Sequence, residues 1–205
     1  RFFLEEGAVD EAGHLRKPLR KAVNKIGHNL HDLDIEFSKF SRAPQMRKIA
    51  EALFTMPQLL QSMYICKNAH IGGEVNCHQD STFLFTEPES CVGFWIALED
   101  ATPDNGCLYA ETGGHKGALR NLFQDYDGEL AMKTLDETPF GVADAALTAS
   151  KGTLVLLHGR LPHRSSSNIS DKSRHAYALH IIDGSADYPL ENWLQRSVEH
   201  PLRGF

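Results

Sequence analysis

The chain has 205 residues, with 21 Lys plus Arg against 27 Asp plus Glu, a formal charge of −6 at pH 7. Its 41% hydrophobic and 23% charged residues are the composition of a soluble globular protein, which excludes a disordered or collagen-like chain. The acidic balance excludes the basic face of a nucleic-acid binder. No apolar run approaches the roughly 18–20 residues of a membrane span, since the longest, Gly152 to Leu157, is strand-sized.

In the first part of the chain Leu19, Val23, Ile26 and Leu30 recur at steps of three or four and predict a helix over 16–33, which Pro18 keeps from starting early. A second helix is expected from Ala43 to Thr55, with Met46, Ile49, Leu53 and Phe54 on one side and Pro57 as its stop. Residues 1–57 are thus expected to be a helical flank. From Ser62 the pattern changes to β-rich runs: Ser62 to Cys66, Thr82 to Phe85, Val92 to Leu98, Cys107 to Ala110, Thr153 to His158 and Ala176 to Ile182. Turn sequences separate them, among them Ile71-Gly72-Gly73-Glu74 and Thr102-Pro103-Asp104-Asn105-Gly106. Residues 58–205 are expected to form a jelly-roll core. The whole, 1–205, is then one domain of mainly β structure with flanking helices, a double-stranded β-helix of cupin-like type. Residues 117–150 have weak periodicity, and that length suits a functional insertion or lid better than a plain connection.

The cysteines, Cys66, Cys77, Cys91 and Cys107, are spread out and include no C-x-x-C pair, so reduced thiols in a cytoplasmic protein are expected. The sequon Asn168-Ile169-Ser170 follows no signal peptide and is read as chance. The chain starts at Arg1 rather than Met, so an N-terminal segment is expected to be missing, and Arg203-Gly204-Phe205 is not a peroxisomal address.

His78-Gln79-Asp80 follows a turn and is read as opening a β run, where residues two apart share a face and reach one ion. A third ligand is needed from a distant strand, and His158 and His163 both qualify. Two His and one carboxylate leave open positions and are the set used by non-heme Fe(II) oxygenases. Arg174, eleven positions after His163 on the next strand, could face the same cavity. Its planar fork would take one carboxylate of a dicarboxylic keto acid such as 2-oxoglutarate in two parallel hydrogen bonds. The bland alternative for Arg174 is a surface ion pair with Asp171 or Asp183.

With these residues in view, the chain resembles the phytanoyl-CoA dioxygenase family of Fe(II)/2-oxoglutarate oxygenases. The resembling segments are Asn24 to His31, Gln61 to Ser90, Gly93 to Leu108, Gly152 to Ile181 and Glu191 to Gln195, in the family order. The resemblance implies that His78, Asp80 and His163 hold Fe(II), with His158 a packing or supporting group, and that Arg174 pairs with the far carboxylate of 2-oxoglutarate. It implies that Lys25, Met63, Gln79, Trp95 and Ser173 line the cosubstrate pocket. His180, on the Arg174 face of its strand, is a further lining candidate, with a core histidine as the plainer reading. The sequence departs from the family at Thr112-Gly113-Gly114-His115 and across 117–150, where such loops border the substrate.

The implied activity uses O2, with ascorbate as an optional reductant, to turn 2-oxoglutarate into succinate and hydroxylate a small organic substrate. The alternatives are a catalytically idle jelly-roll module that senses 2-oxoglutarate or a lipid, and a Zn-type hydrolase or cupin-like sugar enzyme. A CoA phosphate site would want clustered cations. Only Arg16-Lys17…Arg20-Lys21 is dense, and a solvated face explains it equally, so an acyl-CoA substrate is not favoured.

Overall fold

Twelve strands and four helices follow one another in the computed structural model, which describes all residues, Arg1–Phe205. β1 (Phe2–Leu4), α1 (Leu19–Ala22), β2 (Val23–His28), α2 (Leu30–Leu33), α3 (Ile35–Ser41) and α4 (Pro44–Leu53) precede the long strand β3 (Pro57–Lys67). Then come β4 (Val75–His78), β5 (Val92–Ala97), β6 (Leu108–Ala110), β7 (Asn121–Tyr126), β8 (Glu129–Thr134) and β9 (Ala145–Leu147). β10 (Leu154–His158), β11 (His163–Ser165) and β12 (Arg174–Asp183) complete the set. One sheet runs β1-β2-β3-β12-β5-β10 and a second runs β4-β11-β6-β9, while β7 and β8 form a separate hairpin. All these pairings are antiparallel. This is the jelly roll expected from the sequence.

The flank differs from the expectation. In place of a helix over 16–33, one short turn of helix gives way to β2, which pairs with β1 and β3 and registers Gly27 against Met63. The apolar spacing there fits a helix, but Asn24 and Gly27 are poor helix formers, and two neighbouring strands supply the backbone partners. The flank is therefore mixed, with α4 close to its expected bounds. Pro44 opens α4, where a missing N–H costs nothing. The Asp34 carboxylate caps α3 by accepting Glu36 N–H at 2.9 Å and Phe37 N–H at 3.1 Å. Thr82 to Phe85 is not a strand either; the chain there curls into a 3₁₀ turn, Asp80–Thr82. Residues 117–150 carry β7, β8 and β9.

The period of two along β12 divides the molecule. Tyr177, Leu179 and Ile181 pack with Phe94 and Ile96 of β5 against Met46 and Ala50 of α4. Ala176 and Ala178 turn the other way, toward Trp95, Leu108 and Leu157 between the sheets. Arg174 and His180 share that inner face. Leu179 has no exposed surface, whereas Leu156 on β10 is 43% exposed. Leu179→Ala is expected to lower unfolding free energy by about 2–5 kcal/mol. Leu156→Ala should change it by no more than about 0.5 kcal/mol. Urea denaturation of both variants checks the pair.

A single carboxylate ties the flank to the end of the chain. Asp32, its side chain 1% exposed, accepts from Arg42 Nη2 at 2.7 Å, from Arg203 Nη2 at 2.7 Å and from Arg196 Nη2. Burial by itself would raise the Asp32 carboxyl, but the charge of His31 and the three arginines outweigh it and hold it at about 2, from the ordinary 3.8. The folded form therefore binds this proton more weakly than the unfolded form. The resulting stabilisation is complete above pH 4 and is lost as the pH falls toward 2. Asp32→Asn should lower stability at neutral pH and flatten this acid limb, as read from thermal unfolding at stepwise pH.

Candidate metal centre

β4 ends on His78, and Asp80 opens the following 3₁₀ turn, its carbonyl accepting the N–H groups of Phe83 and Leu84. The turn, rather than a shared strand face, brings the carboxylate to His78. β11 lies antiparallel to β4 with His163 opposite His78 and ring centroids 4.4 Å apart. The donor atoms of His78, Asp80 and His163 all lie within 4.8 Å of one another. Each imidazole Nε2 stands 3.7 Å from Asp80 Oδ1. His158 is exposed on β10 beside His115 and plays no part here.

The other nitrogen of each ring is already committed. His78 Nδ1 meets the Asn76 carbonyl at 2.8 Å and His163 Nδ1 meets the Leu161 carbonyl at 2.9 Å. A carbonyl can only accept, so in the neutral ring Nδ1 carries the proton and the Nε2 lone pair faces the carboxylate. Burial lowers His163. Burial would also lower His78, but the hydrogen bond and charge of Asp80 outweigh it and leave it raised. Burial would raise Asp80, but the charges of His180 and His163 overcome it and hold the carboxyl well below the usual range. Asp80 Oδ2 is buried without a hydrogen-bond partner, with His180 Nε2 3.3 Å away. An ionised, under-satisfied carboxylate between two imidazole lone pairs suits a divalent cation with mixed N and O preference. Gly93 makes room for it, because a Cβ there would stand 3.0 Å from Asp80 Oδ2.

Two cavities meet at this cluster. The first, about 150 Å³, reaches Arg174 and Ser165. Arg174 is 1% exposed, so the surface ion pair is not found; Asp171 meets His70, and Asp183 accepts from Thr55 N–H. The Arg174 Nε donates to the Gly106 carbonyl at 3.0 Å, its Cζ lies 5.4 Å from the Trp95 ring centroid, and Nη1 is buried without a partner. Gly106 sits at φ +84°, where a Cβ would also collide with the Lys67 side chain. Burial pulls the guanidinium down to about 10, against the charges of Cys107 and Glu99, which leaves it charged at neutral pH with no carboxylate in ion-pair contact.

Of the remaining residues named from the sequence, Lys25, Met63 and Trp95 line this cavity. Gln79 and Ser173 do not. The Gln79 amide donates to the Ala118 and Arg160 carbonyls at 3.1 and 2.8 Å and accepts Arg120 N–H at 2.9 Å, pinning the start of the 117–150 stretch. Ser173 Oγ donates to Glu99 Oε1 at 3.1 Å. Ser165, absent from the sequence-derived set, is the serine that lines the cavity, with its buried Oγ unpartnered. Its position two residues after His163 on one strand was the signal available for it.

The fold and this donor set define a jelly-roll protein of the mononuclear non-heme oxygenase type. The family model for phytanoyl-CoA dioxygenase (PhyH) matches residues 1–176. A phytanoyl-CoA dioxygenase of Arabidopsis thaliana is 40% identical over 204 residues, 98% of this chain and 72% of that one. The phytanoyl-CoA dioxygenase domain-containing protein 1 of Mus musculus is 41% identical over 209 residues, 98% of this chain and 72% of that one. The chain belongs to the phytanoyl-CoA dioxygenase family, and with that family it is a 2-oxoglutarate-dependent oxygenase. In fold it is similar to SnoK, an alpha ketoglutarate dependent carbocyclase, with a TM-score of 0.67 at 19% identity over 88% of this chain and 76% of that one. It is likewise similar to EctD from S. alaskensis, with a TM-score of 0.63 at 21% identity over 89% of this chain and 62% of that one.

Co(II) titration followed by visible absorption checks the donor set. Losing a supporting group costs about 10–100-fold in metal affinity. Gly93→Ala, which crowds Asp80, should fall in that range, and His163→Ala should exceed it.

Proposed function

We propose that this protein is an Fe(II)- and 2-oxoglutarate-dependent dioxygenase that hydroxylates a small organic molecule. The observation that carries the reading is the pairing of two elements in one cavity. A two-His, one-carboxylate cluster lies at one end, and a buried, carboxylate-free guanidinium lies at the other. His78, Asp80 and His163 would hold Fe(II), and the Nδ1 contacts of the two histidines to backbone carbonyls orient the rings before the ion arrives.

Arg174 takes the far carboxylate of 2-oxoglutarate, using the Nη1 that has no protein partner. Ser165 Oγ adds a hydrogen bond, and Trp95, stacked near the guanidinium, fixes its plane. Lys25 and Met63 border the junction between cosubstrate and substrate. The bound iron supplies the oxidising power with which O2 delivers one oxygen atom to succinate, with loss of CO2, and the other to a substrate C–H bond. The chain's share is to place the cosubstrate, keep the cavity dry and hold the carboxylate ionised. Four free thiols suit a reducing compartment and support a cytoplasmic location.

Anaerobic mixing with Fe(II) and 2-oxoglutarate tests the assignment. A weak visible charge-transfer band is expected from the intact protein. A charge-assisted hydrogen-bonded pair contributes about 1.5–3 kcal/mol, so Arg174→Ala should weaken 2-oxoglutarate by at least tenfold while leaving Co(II) affinity unchanged. A band unaffected by Arg174→Ala would sink the role of that residue.

A further inference from the structure

The second cavity, about 450 Å³, opens from the other side of the metal cluster and is walled by rings from five separate segments. Phe3 stands 5.2 Å from His28 and His28 stands 5.0 Å from Trp193, both edge to face. The arc continues from Trp193 to Phe123 at 6.2 Å, to Phe83 at 5.8 Å, and on to His78 at 6.1 Å. The far wall is held rigidly. Gln124 of β7 donates to Asn192 Oδ1 at 3.2 Å, and Asn192 donates to the Phe85 carbonyl at 2.8 Å. The 117–150 stretch thus supplies Phe123, and the chain after β12 supplies Trp193.

Several polar groups face this cavity without a partner in the protein: His28 Nδ1, His180 Nδ1 and Trp193 Nε1 are buried and unpaired, and Gln61 adds an amide. Gln61 of β3 pairs with His180 across the sheet, is 4% exposed and lines the cavity, and its side-chain amide makes no hydrogen bond to the protein. Its amide is open to the cavity, where a bound ligand would meet it. It offers an acceptor oxygen and a donor NH2 side by side, which complement an amide edge. Burial, with Lys25 beside it, holds His28 at about 4, so that ring is neutral. The charged lining besides Asp80 is Lys25 and Arg1, both on the β1–β2 edge.

We infer that the substrate is an uncharged, planar ring compound with an amide-type edge, stacked among Phe83, Phe123 and Trp193 and read by the Gln61 amide. This deepens the dioxygenase reading and rests on it. A site built around hydrogen bonds to its ligand rejects analogues that lack them far better than an apolar site does. Aromatic walls add about 0.5–1.5 kcal/mol per well-placed ring pair.

The test uses calorimetry on the whole chain loaded with Mn(II) and 2-oxoglutarate, with benzamide, benzoate, cyclohexanecarboxamide and decanoyl-CoA as probes. Benzamide is expected to bind at least tenfold tighter than each of the others. Gln61→Leu should bring benzamide and benzoate within twofold, Gln61→Glu should weaken benzamide, and Phe123→Ala should weaken it at least fivefold. Tighter binding of benzoate or decanoyl-CoA, no binding of benzamide, or a preference that survives Gln61→Leu overturns the inference. The Fe(II) charge-transfer band, recorded on the same preparation, separates the two readings. A band without the benzamide preference leaves the dioxygenase standing and removes the substrate class; the preference without a band does the reverse.

Discussion

A carboxylate buried among histidines organises this protein. Asp80 is 7% exposed and ionised, and an isolated charge in such a place is too costly to keep. Everything within reach answers that charge: His78 and His163 on Oδ1, His180 on Oδ2, and a glycine at 93 that leaves space beside it. Three elements far apart in sequence, β4 with its turn, β11 and β12, have to meet at one point to do this. A metal ion resolves the remaining imbalance more fully than the imidazoles can, because it satisfies both rings and the carboxylate together.

The sheets make that meeting repeatable. Since successive side chains of a strand point to opposite faces, β12 can send Arg174 and His180 inward while Tyr177 and Leu179 seal the outer face under α4. β5 does the same with Gly93 and Trp95 against Phe94 and Ile96. A slip of one residue in either strand would exchange the site for the core. The apolar side therefore fixes the register that the polar side needs, and stability and chemistry rest on the same pairing. The two cavities then differ in what ends them. One closes on a guanidinium, which selects an anion. The other closes on rings and an amide, with Lys25 and Arg1 at one edge.

Much of this was legible in the sequence. The alternation of β12, the turn sequences and the H-x-D with a later histidine and arginine are local patterns, and the fold follows from them. Where the reading departed, a longer-range force decided. Val23–His28 carries a helical spacing but is a strand, because β1 and β3 offer it partners on both sides. Thr82 to Phe85 has strand-forming residues but completes a turn fixed by the Asp80 carbonyl. Gln79 and Ser173 flank site residues in sequence yet point to other partners, since neighbours along a strand or turn face different ways.

By itself the sequence determined the jelly roll, the donor types and the order in which they occur, because alternation, turn chemistry and residue identity are properties of short segments. The tertiary structure set His163 opposite His78 and left His158 exposed beside His115, exchanged Ser173 for Ser165 as the cavity serine, and set Gln61 beside His180. These are facts of strand register and cross-sheet distance. They depend on which segments lie opposite one another, and no window along the chain contains that information.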